Sequence, residues 1–173
     1  MSAPRVSYAR VRNRVERLLS GLSEPPVDVE ALAASLGAEI RVFKLERDVS
    51  GVLYRDRDRK VIVVNAAHSA ARRRFTIAHE LGHLLLHPGE PVHVDQGARI
   101  NLRDGVSATA EEVDEVEANA FAASLLMPAA WLRRDVSESG VDVEDSTEIR
   151  RLADRYGVST QAMLVRLASL GAA

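Results

Sequence analysis

One apolar run, residues 69–87, constrains the fold of this chain more than any other segment. Ser69 can cap a helix that runs to about His87. The apolar side chains of this helix cover much more than a single stripe. They are Phe75, Ile77, Ala78, Leu81, Leu84 and Leu85. A helix that apolar is expected to be buried in the middle of the domain, with the rest of the chain packed around it.

The same helix contains the pattern H-E-x-x-H, formed by His79, Glu80 and His83. Residues four apart lie on one face of an α-helix, about 6 Å from each other. Two imidazoles placed in this way can hold one metal ion, and the glutamate beside the first can reach a water bound to that ion. Buried histidines need partners for their ring nitrogens, so a shared metal ion is the expected partner of both.

Composition limits the kind of metal site and the kind of protein. The 173 residues include no cysteine, so a metal ion must be held by histidines and carboxylates. The net charge of −2 does not favour a dedicated nucleic-acid-binding protein. The first residues lack the apolar stretch of a signal peptide, and no segment approaches 18 consecutive apolar residues. We therefore expect a cytoplasmic protein without membrane contact.

The periodicity of the first 65 residues predicts an α+β fold. Residues 1–24 are interpreted as an N-terminal amphipathic helix, and residues 25–173 as a single domain. Strands are expected at residues 39–43, 51–54 and 60–65. They predict a small, mostly antiparallel sheet of about three strands, packed on the H-E-x-x-H helix.

The second half of the chain is predicted to be mainly helical. Residues 88–107 are polar with little periodicity, which favours a long loop with an edge strand at 98–102. Thr109 and Glu112 match a capping box that opens a second apolar helix ending at Met127-Pro128. Further elements are expected as follows: a short helix at 129–134, a polar linker at 135–144, and a closing helical pair at 146–156 and 159–170. Because Arg166 is the only basic residue of the last helix, this pair is interpreted as a packing hairpin and not as a DNA-binding helix-turn-helix.

A catalytic zinc site usually has three protein ligands and one open position, so a third ligand is needed. His87 lies a further helical turn along the axis and is interpreted as a site-rim or structural histidine. On the second apolar helix, Glu115 shares a face with two alanines, which would let the helices approach closely. Glu117 points about 160° away and is expected to be solvated. Spacing alone does not decide between them, and His93 is interpreted as a surface or loop residue.

Two motifs of the chain together resemble a known family. They are R-F-T-I-A-H-E-L-G-H-x-x-x-H and, some thirty residues later, E-V-E-A-N-A-F-A-A-S-L-L-M-P. The chain resembles the ImmA/IrrE family of metallo-endopeptidases over roughly residues 25–171. The resemblance implies a zincin-like domain in which His79, His83 and Glu115 hold the metal ion and Glu80 is the general base.

The resemblance also implies a function. It indicates a zinc-dependent endopeptidase of bacterial origin that hydrolyses a peptide bond in a protein regulator, such as a helix-turn-helix transcriptional repressor. Zn²⁺ is the expected ion for this ligand set, with Mn²⁺ and Fe²⁺ as alternatives. The alternative function is a regulatory metal-containing binding module, for example a partner of a repressor or of a toxin–antitoxin type system, that acts without proteolysis. Many family members carry a further N- or C-terminal domain, which this chain is expected to lack.

Residues around the ligands are expected to orient them and to bind the substrate. Asn119 and Thr76 each lie one turn from a ligand and are expected to fix the ligand tautomers. Residues 88–107 and a sheet edge could hold the substrate as an added strand. Four residues could supply a donor to the oxyanion, and the sequence does not choose among them: His87, His93, Tyr54 and Asn101.

Overall fold

Helices and a small sheet build an α+β fold in the computed structural model, which describes residues 5–96 and 109–171. In chain order the elements are α1 (Tyr8–Leu18), α2 (Val29–Ser35), β1 (Ala38–Phe43), β2 (Gly51–Arg55), β3 (Lys60–Asn65), α3 (Ala70–Leu86), β4 (Val92–Asp95), α4 (Ala110–Leu126), α5 (Ala129–Ser139), α6 (Ser146–Tyr156) and α7 (Thr160–Ser169). The predicted fold class is confirmed, and the sheet packs on α3 as expected.

Helix α3 forms the centre of the molecule. Ser69 caps it by accepting a hydrogen bond from the Arg72 backbone N–H. Residues 76–83 of α3 are buried without interruption, because the sheet covers one side of the helix and α4 covers another. Where α3 and α4 cross, a Cβ atom added to Gly82 would lie 3.0 Å from Ala118 Cα. The glycine therefore allows the two backbones to approach closely.

The sheet has the strand order β1-β3-β2-β4 and is mixed. β1 runs parallel to β3, whereas β2 pairs antiparallel with both β3 and β4. The three expected strands are all present. The fourth, β4, lies in a segment predicted as a loop, so that prediction is wrong for residues 92–95. The edge strand expected at residues 98–102 lies outside the described residues.

Strand β4 reverses the usual alternation of a half-buried strand. His93 pairs with Leu53, which is fully buried against the core, so His93 and Asp95 point to the α3 side of the sheet. Val92 and Val94 point outward and are 51% and 45% exposed. The inner face at this end of the sheet is therefore lined by polar groups, which is unusual for a core-facing position.

The C-terminal helices pack against one another and against α5. Helix α5 continues to Ser139, five residues beyond the predicted end at 134, because the expected linker residue Asp135 is buried and accepts a 2.8 Å hydrogen bond from the Tyr156 hydroxyl. On α7, Met163 is fully buried, and the Arg166 guanidinium donates to the Met127 carbonyl oxygen at 3.0 Å. These contacts support the interpretation of α6 and α7 as a packing hairpin.

Helix α1 packs against α4 and the end of α3. Ser7 caps it, and Val11 and Val15 are its buried residues. The amphipathic helix predicted within residues 1–24 is thus present and spans Tyr8–Leu18. The boundary placed between residues 24 and 25 stays a prediction. None of the helices in residues 5–96 and 109–171 combines the length and the apolar character needed to cross a bilayer.

Candidate metal centre

Helices α3 and α4 bring His79, His83 and Glu115 together. The Nε2 atoms of the two histidines lie 3.1 Å apart. Glu115 Oε1 lies 3.1 Å from His83 Nε2, and its Oε2 lies 3.5 Å from His79 Nε2. The histidines are only 2% and 4% exposed, whereas the Glu115 side chain is 31% exposed. The expected ligands therefore converge at one point that is open on the Glu115 side.

His93 joins this cluster, so its interpretation as an ordinary surface or loop residue is wrong. Its Nε2 lies 3.3 Å from Glu115 Oε1, and its ring centroid lies 4.0 Å from that of His83. Ligand atoms of His79, His83, His93 and Glu115 all lie within 4.8 Å of one another. The pairing of β4 with β2 carries His93 over α3. Within the sequence, the alternation V-H-V-D was the signal that could have revealed this strand.

His87 and Glu117 form a second buried cluster one turn along α3. Glu117 is 0% exposed, so the expectation that it is solvated is wrong. It accepts hydrogen bonds from His87 Nε2 at 3.0 Å and from the Ser7 backbone N–H at 2.6 Å, and it pairs with the Arg10 guanidinium. Burial opposes ionisation of Glu117, but these three donors outweigh it and hold the pKa of Glu117 below its usual value. Spacing could not show that α1 covers this face of α4.

Hydrogen bonds at the far nitrogens define the tautomers of both candidate ligands. His79 Nδ1 lies 3.1 Å from Asn119 Oδ1, so it carries the proton and leaves a lone pair on Nε2. His87 donates through Nε2 to Glu117, so in the neutral imidazole its Nδ1 is an acceptor for His83 Nδ1–H at 3.3 Å. His83 Nε2 then also carries a lone pair.

A cation is the physical complement of such a site. Two Nε2 lone pairs face each other across 3.1 Å with the Glu115 carboxylate beside them. Lone pairs and an anion repel one another unless a positive charge lies between them. Two imidazole nitrogens and a carboxylate oxygen are a ligand set that suits Zn²⁺. The residues present therefore fit a divalent metal ion.

The protonation states of the ligands agree with this conclusion. Burial lowers the pKa of His83 to about 4, against the opposing effect of its bond to Glu115. Burial would raise the pKa of Glu115, but its close contacts with the His79, His83 and His93 rings outweigh this effect and hold that pKa well below its usual value. At neutral pH, His83 is neutral and Glu115 is ionised, which are the states that metal ligands require.

Glu80 is a fully buried carboxylate next to the ligands. Neither of its oxygens has a hydrogen-bond partner within the described residues. Its carboxylate lies within 4.8 Å of a ring nitrogen of His79 and of the Asp95 carboxylate. Burial raises the pKa of Glu80 well above its usual value, the charges of Asp95 and Glu115 raise it further, and Arg55 opposes them. A carboxylate in this environment is equipped to accept a proton.

The remaining expected residues lie at different distances from the cluster. Thr76 is buried and lines a cavity of about 90 Å³ beside His79, but within the described residues no hydrogen bond joins it to a ligand. Tyr54 lies on the outer face of the sheet, where its hydroxyl donates to Asp56 Oδ2 at 2.5 Å. Asn101 lies outside the described residues. Of the three oxyanion candidates that the structure describes, His93 is the one within the ligand cluster.

A peptidase family described as the IrrE N-terminal-like domain matches residues 33–168 of the chain. The chain belongs to the IrrE N-terminal-like peptidase family. The stated resemblance to the ImmA/IrrE family is thereby confirmed. The match includes α3, β4 and α4, which carry the candidate ligand residues, and it begins after α1.

Individual relatives agree with this family membership. The uncharacterized immunity region protein 2 of Bacillus phage phi105 is 32% identical over 124 residues, which are 70% of this chain and 70% of that protein. The radiation response metalloprotease IrrE of Deinococcus radiodurans is 30% identical over 166 residues, 92% of this chain and 45% of the relative. The protein of the same name from Deinococcus deserti is 28% identical over 172 residues, 95% of this chain and 56% of the relative. The chain thus spans about half the length of these two IrrE proteins.

A solved structure shares the fold. A Mycobacterium tuberculosis transcriptional regulator matches 92% of this chain and 46% of its own length, with a TM-score of 0.60 and 18% sequence identity. At this level of identity the match is evidence for the fold alone.

Proposed function

We propose that the chain is a zinc-dependent endopeptidase that cleaves a protein regulator, such as a helix-turn-helix repressor. The observation that carries this proposal is the position of Glu80. Its two buried oxygens, which have no hydrogen-bond partner in the part of the chain that the structure describes, lie beside a cluster of convergent ligand atoms. Membership of a peptidase family and the name metalloprotease borne by two relatives support the same reaction.

In this proposal His79, His83 and Glu115 hold the metal ion. A zinc ion held there would supply Lewis-acid chemistry, which would lower the pKa of a water toward 7 and polarise the peptide carbonyl. Asn119 orients His79 by accepting the proton on Nδ1, at 3.1 Å. Mn²⁺ and Fe²⁺ are the alternatives to zinc, and metal analysis of the purified protein distinguishes them.

Glu80 and His93 perform the proton transfer and the charge stabilisation. Glu80 takes a proton from the attacking water on a carboxylate oxygen and delivers it to the leaving amine. Its raised pKa supports this role, because it makes the carboxylate a stronger base. His93, whose Nε2 lies 3.3 Å from Glu115 Oε1 within the ligand cluster, donates to the oxyanion of the tetrahedral intermediate. We assign it this role and not that of a fourth ligand because a catalytic site keeps one position open.

The substrate binds in an extended conformation at the edge of the sheet. In the described residues β4 pairs with β2 alone, so the backbone groups on its other side can pair with a substrate strand. His93 projects from β4 into the metal cluster. A peptide added at this edge would therefore run past the candidate catalytic groups.

The proposed kind of substrate rests on the names of the relatives. One is an immunity region protein of a phage and two are radiation response metalloproteases. One name refers to an immunity region and the other to a radiation response. A protein regulator is the substrate class that we propose for a metalloprotease with such relatives.

The test is cleavage of a helix-turn-helix repressor by the zinc-loaded chain, followed by mass spectrometry of the new termini. We expect Glu80→Gln to keep its metal ion and to lower the cleavage rate about 10²–10⁴-fold, because the general base is lost. Full cleavage by Glu80→Gln would show that the assigned mechanism is wrong. If no new terminus forms and Glu80→Gln relieves repression as the unmodified chain does, the non-proteolytic binding module is the correct function.

A further inference from the structure

We propose that α1 supports the metal centre by orienting His83. It acts through hydrogen bonds to Glu117, which in turn contacts His87. The inference rests on the proposed metal site of His79, His83 and Glu115. Residues 5–18 lie before the segment matched by the family, and sequence periodicity indicated only an amphipathic helix there. The hydrogen bonds of α1 lead to a more specific role.

The first step is the fixation of Glu117 by α1. The Ser7 backbone N–H donates to Oε1 at 2.6 Å, and the Arg10 guanidinium pairs with Oε2. Glu117 itself is 0% exposed, so both of these donors come from α1 to a carboxylate that water does not reach. A buried carboxylate with charge-assisted donors has a defined position and stays ionised.

The second step is the fixation of the His83 tautomer by Glu117 through His87. Ionised Glu117 can only accept, so the 3.0 Å contact with His87 Nε2 places the proton of His87 on Nε2. In the neutral imidazole of His87, Nδ1 is then an acceptor, and the 3.3 Å contact with His83 Nδ1 places the proton of His83 on Nδ1. In this arrangement each contact has one donor and one acceptor. It leaves the lone pair of His83 on Nε2, the atom that faces His79 and Glu115.

The packing of α1 would not require these bonds. Its buried contacts come from Val11 and Val15, which face the core. The Arg10 side chain is 50% exposed along its length, yet its guanidinium reaches a fully buried carboxylate. The Arg14 guanidinium also donates to the Leu85 carbonyl oxygen at 3.1 Å, at the end of α3 beside His87. One arginine of α1 thus contacts the cluster that supports His83, and a second contacts the end of α3 beside it.

Arg10, Glu117 and His87 are therefore positioning residues of the centre. When they are lost, the His83 ring can change its tautomer and orientation, and part of the free energy of metal binding is spent on restoring them. Partners of this kind usually contribute a factor of about 10–100 to metal affinity. We expect His87→Phe to weaken Zn²⁺ binding by about that factor, and Arg10→Met by about tenfold.

The experiment measures Zn²⁺ affinity by competition with a chromophoric chelator, in the full chain and in matched variants. Val11→Ala is the control for α1, because it loosens the packing of the helix without touching Ser7 or Arg10. His87→Gln can still accept from His83 and donate to Glu117, so it should retain more affinity than His87→Phe. Nitrogen-15 NMR of the metal-free protein reports the His83 tautomer directly. We expect the Nδ1–H form in the unmodified chain and a mixture in His87→Phe.

The outcomes separate this inference from the proposed function. If His79→Ala binds Zn²⁺ as tightly as the unmodified chain, the metal site itself is misassigned. If His79→Ala loses Zn²⁺ but His87→Phe and Arg10→Met keep full affinity, the metal site stands and the role of α1 is wrong. Equal losses of affinity in Val11→Ala and Arg10→Met, at equal losses of thermal stability, would also overturn it, because packing alone would then explain the effect.

Discussion

Two clusters of histidines and carboxylates lie side by side on α3 and α4, and they are completed in different ways. In one, Glu117 receives a backbone N–H and a guanidinium from α1 and a third donor from His87. In the other, the ion-pair partners of Glu115 within the described residues are all histidines. The first cluster contains its own cation, whereas the second requires one from solution.

This difference shows why the number of histidines and carboxylates does not define a metal site. Ligand atoms of His87, Asp114 and Glu117 also lie within 4.8 Å of one another. Arg10 already neutralises Glu117, and a metal ion there would have to displace its guanidinium. We therefore propose the Glu115 cluster as the metal site and the His87 cluster as its support.

The largest effect should come from removing the carboxylate of each cluster in turn. We expect Glu115→Ala to lose its metal ion on purification, with an affinity loss beyond the roughly 10–100-fold typical of supporting residues. Glu117→Ala should keep the metal ion with about tenfold lower affinity. It should also lower the free energy of unfolding by about 1–3 kcal/mol, because His87 loses its buried acceptor. Metal analysis and urea unfolding measure the two effects. Retained metal in Glu115→Ala with loss in Glu117→Ala would reverse the two assignments.

The next effect concerns the donor to the oxyanion and depends on the proposed peptidase activity. His93→Ala should retain Zn²⁺ but lower kcat by about 10²–10³-fold, as removal of an oxyanion donor does. Tyr54→Phe should leave kcat unchanged, because the Tyr54 hydroxyl is bonded to Asp56 on the outer face of the sheet. If His93→Ala instead loses the metal ion, His93 is a fourth ligand and not the donor.

Local signals in the sequence were sufficient to predict the helices that carry both clusters. Ser69 and the pair Thr109 and Glu112 form the helix caps that the sequence indicated. Spacing within α3 placed His79 and His83 on one face, and their ring nitrogens do face each other. These features depend on residues a few positions apart, so a single sequence contains the necessary information.

His93 and Glu117 were wrongly predicted because their position and burial depend on contacts between distant segments. His93 reaches the cluster only because β4 pairs with β2, which lies 38 to 44 positions earlier in register. Glu117 is buried only because α1 packs on α4, more than 100 residues away along the chain. The periodicity of one helix describes its own faces but not which element covers them. Charged residues such as Glu117 are solvated by default, and only a tertiary partner changes that.

A third effect tests the close crossing that holds both clusters together. Gly82→Val should destabilise the protein by about 1–3 kcal/mol, because its side chain would meet the backbone of Ala118 and the ring of Phe121. Separation of α3 from α4 would also lengthen the distance from Glu115 to both histidines. We therefore expect weaker Zn²⁺ binding together with lower stability, measured by urea unfolding with and without zinc. Unchanged stability would show that the helices can separate at no cost.

The smallest effect should come from removing the N-terminal cap of α4. The resulting loss of local stability should be equal at the two clusters. Thr109→Ala removes the side-chain acceptor of the Glu112 backbone N–H and should cost about 1 kcal/mol. Glu115 and Glu117 both lie within two turns of this cap, so residues 110–117 should exchange their amide hydrogens faster in the metal-free variant. Zinc should restore protection, because Glu115 would tie this end of α4 to α3. Arg10→Met, by contrast, leaves the cap intact and acts on Glu117 alone. If zinc fails to slow exchange in residues 110–117 of the Thr109→Ala variant, Glu115 does not bind the ion.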